Sequence, residues 1–258
     1  MALVPDEHVE FEEQYGASND PRLGRHILHD RRSRAFNVTD VFAEAAVVEP
    51  ISVCWGRAVA AYDQGSLGSC TAHAICGAVS TLPFRHALAS EANIKRVYSQ
   101  ITREDRYQGS WPPDDTGSDG LTAAKVAQER GWIGSYRHAF TLDAAVKALQ
   151  LGPFITGTDW KEGMFDTKPS GEVMPSGRVD GGHEYEGIGV DVERQRVIFA
   201  QSWGRWGVPL SEILSGWNGA FHGLHLGPDP RQGYFWMSYD AFGELLFDQG
   251  DVTVPLEH

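Results

Sequence analysis

Asp63-Gln64-Gly65-Ser66-Leu67-Gly68-Ser69-Cys70-Thr71-Ala72-His73-Ala74 is the stretch from which the rest of the chain can be read. A Gly-rich turn delivers a cysteine to the start of an apolar, small-residue run (Ala72, Ala74, Ile75, Ala78, Val79) that reads as a helix. A thiol at a helix N-terminus sees unpaired backbone N–H groups and the positive end of the helix dipole. Both favour the thiolate, which is the nucleophilic form. Gln64 precedes the cysteine by six residues, so its side-chain amide can donate to an oxyanion formed beside the sulfur. A lone cysteine behind Gly-Ser would read as a core residue, because free Cys is among the most buried residue types. The nucleophile reading needs a base and an orienting group downstream.

Both are present. Gly181-Gly182-His183-Glu184-Tyr185-Glu186-Gly187-Ile188-Gly189-Val190-Asp191 places a histidine at the start of an alternating strand. A turn at Glu193-Arg194-Gln195 returns the chain as Arg196-Val197-Ile198-Phe199-Ala200, so Gln201 falls at a strand end beside His183. Gln201-Ser202-Trp203-Gly204-Arg205-Trp206-Gly207 then supplies an amide side chain and two Trp-Gly pairs. Thiol, imidazole and polar orienter, in that chain order, form one solution of the nucleophile–base–orienter scheme. His73 is a rival base, but helix geometry aims it away from the sulfur.

These residues resemble the papain-like cysteine peptidase family. The resemblance rests on Gln64, Gly68-Ser69-Cys70, the Gly-Gly-His start of the strand and Ser202-Trp203-Gly204 with Trp206-Gly207, and runs from about Ile51 to about Tyr239. It implies an α+β, two-lobed papain-like fold, with a helical lobe packed against an antiparallel sheet or barrel and a cleft between them. It implies Cys70 as nucleophile, His183 as base, Gln201 as orienter and Gln64 as oxyanion donor. Trp203 would cover the His183–Gln201 contact. Ser118, Asp119 and Gly120 fall where the family presents a Gly-rich rim to substrate backbone, and Gly182 and Glu184 flank the base beside a specificity pocket. The reaction implied is peptide-bond hydrolysis through a thioester, on a polypeptide substrate, with no metal or organic cofactor. Three departures stand out. Gln201 replaces the usual Asn, Thr71 the usual Trp, and Leu67 and Ser118 occupy both positions of the usual disulfide. A thiol amidase acting on cell-wall peptides shares the thiol–imidazole–polar order, and a catalytically silent binding module is the third reading.

Composition sets the outer bounds. The 258 residues, 41% hydrophobic and 22% charged, are ordinary for a globular chain with a sizeable core. A net charge of −13 argues against general nucleic-acid binding. No apolar run reaches the length of a membrane span, and no secretory signal is visible. A monomer in a reducing, cytoplasmic compartment is therefore expected, with Cys54 and Cys76 as core residues. Residues 1–49 form an extension ahead of a catalytic region at 50–255, itself split into a helical half (about 50–150) and a strand half (about 151–255). Leu256-Glu257-His258 reads as the remnant of a histidine tag.

The extension begins acidic and unpatterned to Asp20, then turns basic at Arg22, Arg25, Arg31, Arg32 and Arg34. The plainer reading is a solvated segment packed on the surface. The functional one is a pro-segment-like strap along the catalytic domain, although it is shorter than a full inhibitory prodomain of the family. The His26-x-x-His29 pair lacks further ligands nearby.

Overall fold

The computed structural model describes residues 20–42, 49–223 and 232–257. The acidic start and His225 lie outside these residues. In chain order the elements are α1 (Thr39–Phe42), β1 (Val53–Trp55), α2 (Cys70–Ser80), α3 (Glu91–Glu104), α4 (Gly120–Glu129), β2 (Ser135–Ala139), α5 (Leu142–Ala148), β3 (Phe154–Lys161), β4 (Val179–Asp191), β5 (Arg196–Ala200), α6 (Leu210–Ile213), β6 (Ala220–His222), β7 (Tyr234–Ser238), α7 (Tyr239–Phe247) and β8 (Asp251–Leu256).

The helices start and stop where side-chain chemistry dictates. Asp119 caps α4 by accepting from Thr122 N–H at 2.7 Å, and Gly131 turns the chain away with φ +68°. Thr141 caps α5 at Ala144 N–H, 3.1 Å. Helix α3 is amphipathic: Ile94, Val97, Tyr98 and Ile101 are buried while Lys95, Arg96 and Arg103 face water. Helix α2 is buried over its whole length, as a helix of Ala, Gly and Ile must be. Gly77 on α2 lets the Arg57 guanidinium and the Glu186 carboxylate meet against it, where an added Cβ would lie 2.6 Å from the carboxylate. That ion pair is buried on both sides and also accepts from Thr81 Oγ1, so it pins α2 to β4.

The sheet runs β2-β8-β3-β4-β1-β6, and β5 and β7 extend it from the side of β4. All pairings are antiparallel except β1 with β6. Strand β4 is the hub, pairing with β3, β1 and β5. It begins at Val179, ahead of His183, and is buried from Gly181 onward. The expected alternation is therefore absent, because both faces of β4 are covered. One faces α2 and a core of Ile75, Val79, Ile94 and Ile101. The other faces an aromatic core of Phe154, Trp160, Tyr185, Phe199, Phe235 and Phe242. Strands β1 and β2, from the part of the chain ahead of residue 151, also join the sheet. His222, exposed at the end of strand β6, stacks on Trp55 with ring centroids 4.6 Å apart.

Residues 20–26 do not lie on the surface as a solvated segment. Gly24 and Arg25 thread between the α4 rim and β4: Arg25 N–H donates to Gly182 O at 3.1 Å, His26 N–H to Ser118 O at 2.7 Å, and Ser118 N–H to Gly24 O at 2.8 Å.

Candidate active site

Cys70 is the first residue of α2, and Ser69 before it makes no side-chain cap bond to the helix. Ser69 Oγ instead lies 3.1 Å from His73 Nδ1. The first N–H groups of α2 are thus left without a side-chain cap, and Thr71 N–H approaches the Cys70 sulfur together with the N–H groups of Glu184 and Gly24. Burial pushes this thiol up to about 12, and the neighbouring Glu184 carboxylate adds to the shift against the pull of the N–H donors.

His183 Nε2 lies 3.0 Å from Gln201 Oε1, so the Gln201 side chain reaches the ring. With that bond made, Nε2 carries the proton and Nδ1, which has no hydrogen-bond partner, presents its lone pair. Burial holds the imidazole down to about 3, opposed by the Gln201 bond. Trp203 packs on His183 with centroids 4.7 Å apart, as the sequence suggested. Trp160 at the end of β3 adds an edge-on contact at 4.9 Å. Sequence reasoning did not single out Trp160, which lies two residues beyond Thr158 on the same face of β3. Its only signal was an aromatic at the next inward position of the alternation.

Gln64 is tied across the seam. Its backbone N–H donates to Ser202 O at 2.8 Å, and Ser202 Oγ donates to Gln64 Oε1 at 2.6 Å. This fixes the amide with Nε2 outward, where it donates to Arg22 O at 3.1 Å and Leu67 O at 2.7 Å. A carbonyl of the strap therefore occupies the donor assigned to an oxyanion. The Arg22 guanidinium lies over the Trp203 ring at 4.0 Å. His73 is held by Ser69 O at 2.9 Å and Glu91 at 2.9 Å, away from the sulfur.

The rim residues divide by role. Ser118 meets the strap through its backbone, and its hydroxyl donates to Asp105 at 2.7 Å. Asp119 caps α4, and Gly120 leaves room for the Glu184 carboxylate, which an added Cβ would meet at 2.6 Å. Gly182 accepts from the strap, and Glu184 is buried. All three cysteines are free. The two loops that the resemblance joins by a disulfide are joined here through Asp115, which accepts from Gly68 N–H at 2.8 Å and from Tyr98 OH at 2.6 Å. Among the described residues no group of three metal-ligating side chains converges, and His26 is occupied by Thr116 O at 2.6 Å. No described helix is long and apolar enough to cross a membrane.

No protein-family model matches the sequence, and there is no significant match among curated proteins. Solved structures do match. The cysteine protease xylellain from Xylella fastidiosa superposes with a TM-score of 0.61 at 18% identity, over 95% of this chain and 100% of that one. The bromelain protease of Ananas comosus, solved in complex with the E64 inhibitor, gives 0.54 at 16% identity over 81% of this chain and 100% of its own. Digestive procathepsin L 3 of Tenebrio molitor gives 0.51 at 14%, over 93% and 75%. The chain has the papain-like α+β fold.

Proposed function

We propose that the chain is a cysteine-type peptidase whose cleft is filled at rest by its own residues 22–26. The observation that carries this reading is the His183–Gln201 bond, which leaves the imidazole Nδ1 without a hydrogen-bond partner one residue before Glu184, whose backbone N–H approaches the sulfur of a cysteine at a helix N-terminus. The structure neighbours, themselves cysteine proteases, supply the fold on which that arrangement acts.

In the working form the strap is out of the cleft and an extended polypeptide replaces it. Proton transfer from Cys70 Sγ to His183 Nδ1 gives a thiolate–imidazolium pair, oriented through Nε2 by Gln201. The thiolate attacks the peptide carbonyl carbon, and the developing oxyanion takes the Gln64 Nε2 donor now held by Arg22 O. His183 gives its proton to the leaving amine as the C–N bond breaks. Water, deprotonated by the same imidazole, then hydrolyses the thioester and restores the thiol. Trp203 and Trp160 keep bulk water from the His183–Gln201 bond.

The buried, strapped pair stays neutral, thiol with imidazole, and is therefore silent until the strap moves. The test is cleavage of a mixed peptide library by the full chain and by Cys70→Ala and His183→Ala. Cleavage by the parent that either substitution abolishes is expected. Cleavage that survives Cys70→Ala would refute the assignment.

A further inference from the structure

The strap leaves one side chain deep in the body. Arg25 is fully buried, and its guanidinium pairs with Asp251 and donates to Gln249 O at 2.8 Å. Its surroundings are acidic. Glu184 is 1% exposed, and neither of its carboxylate oxygens has a hydrogen-bond partner. Asp119, also buried, and Asp251 both bear on Glu184 electrostatically. Glycines make the space. Gly157 lies opposite Glu184 in the β3–β4 ladder, and a Cβ there would collide with both the Arg25 Nε and the Glu184 carboxylate. A Cβ on Gly120 would meet the other Glu184 oxygen.

A buried carboxylate near a second one is costly to ionise unless a cation sits between them, and Asp119, whose own oxygens are taken up by Thr122 N–H and Oγ1, adds to that cost at Glu184 from outside the pair. The strap supplies that cation now. Its backbone meanwhile uses Ser118, assigned to substrate backbone, and Gly182, assigned to the specificity pocket, and its Arg22 carbonyl uses the Gln64 donor. Whatever displaces the strap inherits the same backbone partners and faces the same uncompensated acids.

We propose that the space between Glu184 and Asp251, now filled by the Arg25 guanidinium, selects the substrate by accepting an arginine side chain of the polypeptide, so that Arg25 is the strap's imitation of the residue the enzyme seeks. This rests on the peptidase reading above. Arginine is favoured over lysine because two parts of the head group are used at once: Nη2 meets the Asp251 carboxylate and the Gln249 carbonyl, while Nε lies beside the Glu184 carboxylate over Gly157, and a single ammonium nitrogen cannot occupy both places.

The experiment uses the full chain carrying Arg25→Ala, which empties the pocket, and a positional peptide library. One substrate position is expected to prefer Arg over Leu by about 10- to 100-fold in kcat/KM, with Lys between. Adding Glu184→Gln is expected to cut that preference to about threefold or less, read as the ratio of kcat/KM for Arg- over Leu-containing peptides within the one variant. Cys70-dependent cleavage with no basic preference at any position overturns the pocket assignment and leaves the peptidase reading intact. Absence of any Cys70-dependent cleavage overturns the peptidase reading itself. A second arm needs no turnover: N-acetyl-arginine amide is expected to raise the melting temperature of Arg25→Ala but not of Arg25→Ala/Glu184→Gln, and no difference between the two overturns the pocket. If Arg25→Ala does not fold, Arg25→Lys, which keeps a cation in place, carries the same library test.

Discussion

Gly24→Ala should open the cleft without altering a residue of the catalytic body. Gly24 packs directly on the backbone of Gly68, where an added Cβ would overlap the carbonyl oxygen and carbon and lie 2.7 Å from the Gly68 Cα. Those atoms belong to the turn that leads into α2, and Gly68 N–H is held by Asp115 at 2.8 Å, so the turn cannot give way cheaply. Overpacking of this kind costs about 1–3 kcal/mol. The strap is held by a handful of backbone bonds, Gly24 to Ser118, Arg25 to Gly182 and His26 to Ser118, and by the Arg25–Asp251 pair. A penalty of that size falls on the seated form alone and raises the population of the open form by about 5- to 150-fold. The assay is iodoacetamide labelling of the full chain at pH 7, with each cysteine followed by peptide mass spectrometry. Cys70 should label about 10- to 100-fold faster in Gly24→Ala than in the parent, while Cys54 and Cys76, buried in the core away from the strap, stay unlabelled in both. An unchanged Cys70 rate in a folded Gly24→Ala chain would refute the seating of residue 24 against the thiol.

Glu186→Gln should destabilise the chain by about 3–5 kcal/mol, because it leaves the buried Arg57 charge without its partner, and chemical denaturation measures it. Loss of less than about 1 kcal/mol would mean that α2 is not held to β4 by that pair. Asp115→Asn removes the charge from an acceptor shared by Gly68 N–H and Tyr98 OH, and should cost about 1–2 kcal/mol in the same assay while speeding Cys70 labelling by loosening the rim. Neutral stability and unchanged labelling would show that the carboxylate does not replace the missing disulfide. His183 is held neutral down to about 3, below its ordinary value near 6.5, so between those limits the unfolded chain binds a proton that the folded chain refuses. Stability from this group is complete above pH 6.5 and is lost as pH falls toward 3, by up to about 1.4 kcal/mol per pH unit. Unfolding titrations of the parent and of His183→Gln should therefore diverge in slope across that window, and parallel slopes would contradict the buried neutral imidazole.

Much of this arrangement was legible in the sequence because it is local. A Gly-rich turn before a small-residue run fixes a cysteine at a helix start, and Asp119 and Thr141 are residue types whose side chains cap the helices that follow them. The meeting of His183 with Gln201 follows from one hairpin, whose turn at Gln195 takes φ +50°. What the sequence hid depends on distant parts of the chain. Strand β4 gave no sign that both its faces would be covered, since that requires α2 on one side and the Trp160–Phe235 cluster on the other. Asp251 carries no motif, and it reaches Arg25 only because β8 pairs with β3 from the far end of the chain. Arg25 itself read as one of several arginines in a basic stretch. Its burial comes from Gly24 beside it and Gly157 beneath it, two absences of a side chain that composition cannot interpret.

The central claim is that Cys70 attacks an acyl carbon and carries it as a thioester. Brief reaction of the full-length Gly24→Ala chain with a peptide ester, quenched in acid and mapped by mass spectrometry, tests it directly. The account predicts one acyl adduct, on the peptide that contains Cys70, released by neutral hydroxylamine and absent from Gly24→Ala/Cys70→Ala. An adduct on another residue, or none while ester is consumed, would contradict it.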